Sequence, residues 1–226
     1  MKIVLFGEIM YKIAVFDLDG TLINTLPDLL PAFNKAVEAY GYAPCPPDRF
    51  GKVIGNGYQT SLRRILPADF DNEEIFEDIC RIYHDYYSQH YADRTYPYDG
   101  ICDVLQTLQD NGVLIAVLSN KTREHSAILC KKLFPSIEFC DICGADAGYL
   151  LKPDPAQLKK IIDDHHCSIN EAIMIGDSNV DVYTAHNAGI PCVGCEWGYR
   201  GRQELLEASA DFLIKHPLEL LELIKE

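Results

Sequence analysis

No stretch of this chain approaches the ~20 consecutive apolar residues that a membrane-spanning helix needs, which excludes a membrane span. It also lacks an excess of positive charge. The formal net charge is −14, which argues against a nucleic-acid partner and against attraction to anionic membranes. An anionic substrate must then be drawn in by a local site and not by the overall field. A secretion signal is missing as well. Met1 to Met10 carries one lysine, the short run Ile3-Val4-Leu5-Phe6 and then Glu8, too short and too interrupted. Met10 is a second candidate start, and residues 1–9 form either an extra strand or a by-product of start choice. Internal repeats and low-complexity tracts are absent too.

Nine cysteines, an odd number without a signal, point to reduced thiols in a cytoplasm. Two C-x-x-C spacings occur, Cys140 to Cys143 and Cys192 to Cys195, and would suggest zinc. Each falls in an apolar strand-like run, where residues three apart point to opposite faces. Such pairs read as buried structural thiols and not as a metal grip. At 226 residues and 48% hydrophobic, the chain suits one large domain or one domain with an insertion.

Strands and helices alternate. Ile13 to Phe16 is an unbroken apolar run, as a strand buried on both faces should be. Asn24 to Asp28 reads as a helix entry with proline in its first turn, and Leu29 to Tyr40 as an amphipathic helix. Asp48 to about Arg94 reads as helical throughout, broken only at Gly55-Asn56-Gly57. Tyrosines and a histidine in Tyr83 to Tyr87 read as packing residues. The alternation resumes after Tyr96: a helix to Gly112, a strand over Val113–Leu118, a helix over 122–133, a strand near Phe139–Cys143, a helix over 155–165. It ends with a strand over Ala172–Ile175, a helix over Asn179–Ala188 and a strand over Pro191–Gly194. The expectation is an α/β fold: a Rossmann-like parallel sheet core with helices on both faces and an inserted all-helical cap. Residues 1–24 and 97–226 form the core, and residues 25–96 the cap.

Polar groups close four of the apolar runs. Asp17 and Asp19 end the first strand, with Gly20 permitting a sharp turn. Two carboxylates at the mouth of a parallel sheet repel unless a cation lies beside them or one holds a proton. Ser119 and Asn120 end another strand at a helix entry, a natural phosphate cradle. Lys152 precedes two nearby prolines, in an extended turn leading to a helix. Asp177 and Asp181, four apart at a helix start, share one face. Oxygen ligands of this kind favour Mg²⁺ over zinc. Taken singly, each has a plainer reading: an acidic turn, a helix N-cap, a surface lysine.

Together, in this order, the motifs D-x-D-x-T (Asp17, Asp19, Thr21), Ser119 with Asn120, Lys152, and G-D-x-x-x-D (Asp177, Asp181) resemble those of the haloacid dehalogenase-like hydrolase superfamily. The resemblance covers the chain from Met10 on. It implies that Asp17 is a nucleophile forming an aspartyl-phosphate, and that Asp19 is first general acid and then general base. Lys152 would neutralise the nucleophile and the transferring phosphate. It further implies Mg²⁺ held by Asp17, the Asp19 carbonyl, Asp177 and Asp181. Thr21, Ser119 and Asn120 fall to substrate binding. An acid/base at position 19 favours phosphoester hydrolysis or a phosphomutase over dehalogenation.

The insertion resembles the family's α-helical cap. Ile54-Gly55-Asn56-Gly57 with Arg64, and the segment Gly194 to Gly201, resemble phosphoglycolate phosphatases. Asn56 and Arg64 would then meet a substrate carboxylate. The expected function is hydrolysis of 2-phosphoglycolate or a similar small phosphorylated metabolite. Pyrophosphatase, nucleotidase and sugar-phosphate phosphatase or mutase activities are the alternatives within the family, and an inactive binding relative is the alternative outside it. A phosphorylated signalling receiver has a similar aspartate, lysine and Mg²⁺ but no cap. The expected partners exclude nucleic acid and membrane, and the expected state is a monomer or homodimer.

Overall fold

A computed structural model describes residues 11–145 and 148–224; the expectation about residues 1–9 lies outside the described residues. In chain order the elements are β1 (Ile13–Phe16), β2 (Ile23–Asn24), α1 (Leu26–Glu38), α2 (Pro47–Val53), α3 (Tyr58–Ile65), α4 (Glu73–His90), β3 (Tyr96–Pro97), α5 (Ile101–Asp110), β4 (Leu114–Leu118), α6 (Arg123–Leu133) and β5 (Phe139–Cys143). There follow α7 (Ala156–Asp164), β6 (Ala172–Gly176), α8 (Asn179–Ala188), β7 (Cys192–Cys195), α9 (Gly201–Glu207), β8 (Phe212–Ile214) and α10 (Leu220–Ile224). The chain divides into two compact units, one running to Leu22 and resuming at Tyr98, the other spanning Ile23–Pro97.

The first unit is built on a six-stranded sheet in the order β5-β4-β1-β6-β7-β8, every pair parallel. β1 is central, and all four of its residues are buried, which is why its sequence is apolar without alternation. Ile13 and Val15 face a core completed by Leu158 and Ile161 of α7, Val182 and Ala185 of α8, and Leu205 of α9. By alternation Ala14 and Phe16 face the other way, toward the side where α5 packs on β4 and on α10. Phe16 is in register with Val117 of β4 and Ile175 of β6. The residues that follow these three strands therefore emerge side by side at one edge of the sheet.

Two sequence expectations change here. β5 carries a bulge opposite Ile115–Ala116, where Phe139 and Asp141 are the paired residues and Cys140 is the extra one. The bulge shifts the alternation, so Cys140 and Cys143 both pack on the same core, contrary to the opposite facing expected of an unbroken strand. β8 and the helices α9 and α10 extend the fold beyond the last strand expected from sequence.

The second unit is helical, with its ends joined by the antiparallel pairing of β2 and β3. α1 packs along α4. Phe33 sits edge-on to Phe50 and Tyr83, with ring centroids 5.2 and 4.6 Å away, and Tyr83 stacks on Tyr87. The aromatic run of α4 is thus packing, as read from sequence. The helical stretch is broken twice, not once: besides 54–57, the chain leaves helix between Ile65 and Glu73, where Pro67 intervenes and Asn72 caps α4 by accepting the Ile75 N–H. Asp28, buried in α1, accepts the N–H groups of Arg94 and Thr95 and the Thr95 hydroxyl, and so fastens the end of the unit to its beginning.

Candidate active site

The site is assembled at the strand ends of the first unit. Asp17 continues the β1 ladder, its N–H donating to the Ile175 carbonyl at 2.8 Å, and then the chain turns at Gly20, whose φ is +92°. Ser119 leaves β4 buried, with its N–H on the Cys143 carbonyl. At the end of β6, Ser178 and not Asp177 caps α8: the Ser178 N–H and hydroxyl donate to Asp181 Oδ2, forming a capping box. Asp177 is thereby left out of the helix cap, against the plainer reading of that residue.

Lys152 joins these parts. Its ammonium donates to Asp17 Oδ1 at 2.7 Å and to Asp181 Oδ1 at 2.6 Å, and its side chain is only 4% exposed. Asn120 holds the main chain of Lys152 from both sides, donating from Nδ2 to its carbonyl and accepting its N–H on Oδ1. The Asn120 amide, expected from sequence at the substrate, is thus mostly engaged in placing the lysine.

Asp17, Asp177 and Asp181 bring carboxylate oxygens within 4.8 Å of one another, and all three are buried. Among the described residues this is the one group of His, Cys, Asp and Glu fit to hold a metal ion. Neither C-x-x-C pair belongs to it; burial pushes the thiols of Cys192 and Cys195 well up, as for structural cysteines. Three buried carboxylates against one ammonium leave a negative surplus. Burial is the main reason that the Asp17 carboxyl is pushed up to about 7, with the Asp181 charge adding to it and Lys152 opposing. Asp177 is raised for the same reason, helped by Asp181 and Asp17. Burial pulls the Lys152 ammonium down, but Asp17 and Asp181 together outweigh it and raise the group.

Asp19 stands apart from that cluster. Its Oδ2 lies 3.1 Å from the ammonium of Lys121, a side chain 7% exposed. Lys121 directly follows Ser119 and Asn120, and nothing in its sequence context marks it as a site residue. The Thr21 hydroxyl is fully buried and meets no hydrogen-bond partner among the described residues. In a native interior such an orphan asks for a reason, and a ligand oxygen is one.

Two candidates belong to the helical unit. Asn56 has φ +59° between Gly55 at +120° and Gly57 at +85°. Arg64 Nη1 donates to the Val53 and Gly55 carbonyls at 2.9 and 3.4 Å, and Ser61 Oγ to those of Gly55 and Gly57. Arg64 therefore ties down the loop that carries Asn56. It also lines a hollow of about 510 Å³ with Gln59, Thr60, Arg63, Phe76 and Glu77.

Comparison with known proteins agrees with this assembly. The model of the family described as "Haloacid dehalogenase-like hydrolase" matches residues 14–195. A phosphoglycolate phosphatase of Vibrio parahaemolyticus is 29% identical over 218 residues, covering 94% of this chain and 96% of that protein. One of Mesorhizobium japonicum is 32% identical over 192 residues, covering 84% and 85%. The crystal structure of a predicted phosphoglycolate phosphatase from Haemophilus somnus superposes with a TM-score of 0.89 at 25% identity, covering 97% of this chain and all of that one. The chain belongs to the haloacid dehalogenase-like hydrolase family and is an enzyme of it, phosphoglycolate phosphatase-like in both sequence and fold.

Proposed function

We propose that this protein is a Mg²⁺-dependent phosphatase that hydrolyses 2-phosphoglycolate or a similar small phosphate monoester through an aspartyl-phosphate on Asp17. The observation that carries the reading is the buried Lys152 ammonium bridging Asp17 and Asp181 beside Asp177. A nucleophile, a fixed cation and spare carboxylate oxygens sit together, which suits phosphoryl transfer.

The donor set fits a hard divalent cation: all-oxygen, anionic beyond what Lys152 neutralises, and compact. Asp17, Asp177 and Asp181 would hold it with the Asp19 carbonyl. When bound, it screens the attack of one anion on another. The remaining chemistry falls to the chain. Lys152 favours the ionised form of Asp17 against the pull of burial and draws the phosphoryl group to it. An Asp17 oxygen attacks phosphorus in line as the ester oxygen departs with a proton from Asp19. Asp19 then takes a proton from water, which attacks the phosphorus of the aspartyl-phosphate and frees Asp17 and inorganic phosphate. The Ser119 hydroxyl, just past the end of β4, binds a transferred oxygen.

The substrate reading rests on the named relatives. In the helical unit, Asn56, on a loop whose carbonyls Arg64 binds, is the residue assigned to the organic part of the ester. Nine free cysteines and the absence, among the described residues, of a helix fit to cross a membrane support a cytoplasmic setting. The test is phosphate release from a panel holding 2-phosphoglycolate, hexose phosphates, nucleoside monophosphates, pyrophosphate and an aryl phosphate, with Mg²⁺ and with EDTA. Mg²⁺-dependent release led by 2-phosphoglycolate supports the reading. Release spread over the panel removes the substrate and keeps the chemistry, and no release from folded protein removes both.

A further inference from the structure

The chain leaving β7 returns across the end of β6. At Tyr199 its N–H donates to Asp177 Oδ2 at 2.6 Å. At Gly198 the backbone lies so close to Asp177 that a Cβ there would meet the Asp177 Cβ at 2.2 Å, Oδ2 at 2.5 Å and the carboxyl carbon at 2.7 Å, separations that Cβ atoms do not tolerate. A Cβ on Gly20 would meet the same carboxylate, with Oδ2 at 2.4 Å and the carboxyl carbon at 2.8 Å. Two stretches of bare backbone thus lie against the Oδ2 side of the Asp177 carboxylate.

The two stretches are linked, because Trp197 Nε1 donates to the Thr21 carbonyl at 3.1 Å. The returning segment is also fastened at both ends. The Glu196 N–H binds the Ile214 carbonyl of β8, and Arg200 pairs with Glu204, whose Oε1 accepts the Asn179 N–H of α8. Ordinary loop packing would need neither a glycine against a buried carboxylate nor a peptide N–H on one of its oxygens.

We infer that Trp197–Tyr199 is a positioning segment for Asp177. The Tyr199 N–H takes Oδ2, Gly198 and Gly20 prevent the carboxylate from turning, and Oδ1 is left for the cation. This deepens the metal reading above and rests on it. A monodentate carboxylate fixed before the cation arrives binds it more tightly than one that must first be ordered, and partners of this outer kind are worth about 10–100-fold in metal affinity.

Gly198→Ala is the direct probe. Gly198 does not occupy the left-handed region, so alanine suits its backbone and the new methyl group presses on Asp177. Mg²⁺ binding to metal-free protein, followed by calorimetry and by the Mg²⁺-induced rise in melting temperature, should show a dissociation constant raised about 10–100-fold. The circular dichroism spectrum should stay native, KM for the ester at saturating Mg²⁺ should stay within about twofold, and the loss of turnover should be recovered by excess Mg²⁺. Trp197→Phe keeps an aromatic side chain but deletes the indole N–H and its bond to Thr21 together with the five-membered ring, so it should weaken Mg²⁺ about two- to tenfold. If Gly198→Ala does not fold, Trp197→Phe decides alone. Mg²⁺ bound as tightly by the folded variants as by the wild type overturns the positioning role while leaving the metal reading intact. A wild-type protein that takes up no Mg²⁺ overturns both.

Discussion

Lys152→Met removes the positive charge that bridges two buried carboxylates and replaces the ammonium with an apolar group of similar length. In the absence of metal, Asp17 and Asp181 lose their partner while Asp177 remains beside them, all within a site from which water is largely excluded. Breaking a buried pair by deleting one member costs about 3–5 kcal/mol. For a chain of this size each kcal/mol corresponds to about 2–4 °C, so metal-free protein at pH 8 should melt about 6–20 °C lower than the wild type. At pH 5 the loss should shrink, since burial already holds Asp17 and Asp177 toward their neutral forms. Saturating Mg²⁺ should return part of the stability, because the cation replaces the lost positive charge. It should not return turnover, which falls by about 10²–10³ with a fixed electrostatic partner gone. The assays are thermal unfolding at both pH values, with EDTA and with Mg²⁺, and phosphate release. A melting temperature within 2 °C of the wild type at pH 8 without metal, by the same ~2–4 °C scale, would refute the argument.

Other outcomes follow from the same geometry. Asp17→Asn should abolish phosphate release, whereas Asp19→Asn should slow both chemical steps and leave residual turnover; full activity in purified Asp17→Asn contradicts the nucleophile assignment. Asn120→Ala deletes both bonds to the Lys152 main chain, so kcat should fall while stability drops by about 1–3 kcal/mol, read from denaturant melts. Asp28→Ala strands the N–H groups of Arg94 and Thr95 in the helical unit and should cost about 2–4 kcal/mol, seen first as faster hydrogen exchange of Arg94 and Thr95. The pH dependence has a definite sign. Asp17 is raised to about 7 in the fold against an ordinary value near 3.8, so between these values the native state holds a proton that the unfolded chain releases. Its contribution to stability is complete below the lower value and is lost as pH rises toward 7. Metal-free wild type should therefore lose more stability between pH 5 and pH 8 than Asp17→Asn does.

What the sequence disclosed was set by proximity along the chain. Ile13–Phe16, Leu114–Leu118 and Ala172–Gly176 are buried strands, and a buried parallel strand must be apolar at every position. The polar residue that ends each is therefore conspicuous, and register alone brings Asp17, Ser119 and Asp177 together. Less was legible where the determining contact is remote. Gly198 is an unremarked glycine until the fold sets it on Asp177, twenty-one positions earlier. Nothing local marks Lys121, and only the pairing of β4 with β1 puts it on Asp19. Asn120 reads as a phosphate ligand because it ends a strand, yet its amide is turned to Lys152, thirty-two positions on. Cys140 depends on a bulge that no local residue announces. β8 is three residues long and only partly buried, too short for any periodicity to develop.

The central claim is that Asp17 carries the phosphoryl group between ester and water. Enzyme mixed with a substrate whose phosphorus is labelled, in Mg²⁺, and quenched in acid within one turnover gives the direct measurement. The account predicts protein-bound label that is stable to acid, released by hydroxylamine, recovered in the peptide containing Asp17, and absent from Asp17→Asn. Turnover with no label on the protein at any time, or label on another residue that survives in Asp17→Asn, would contradict it.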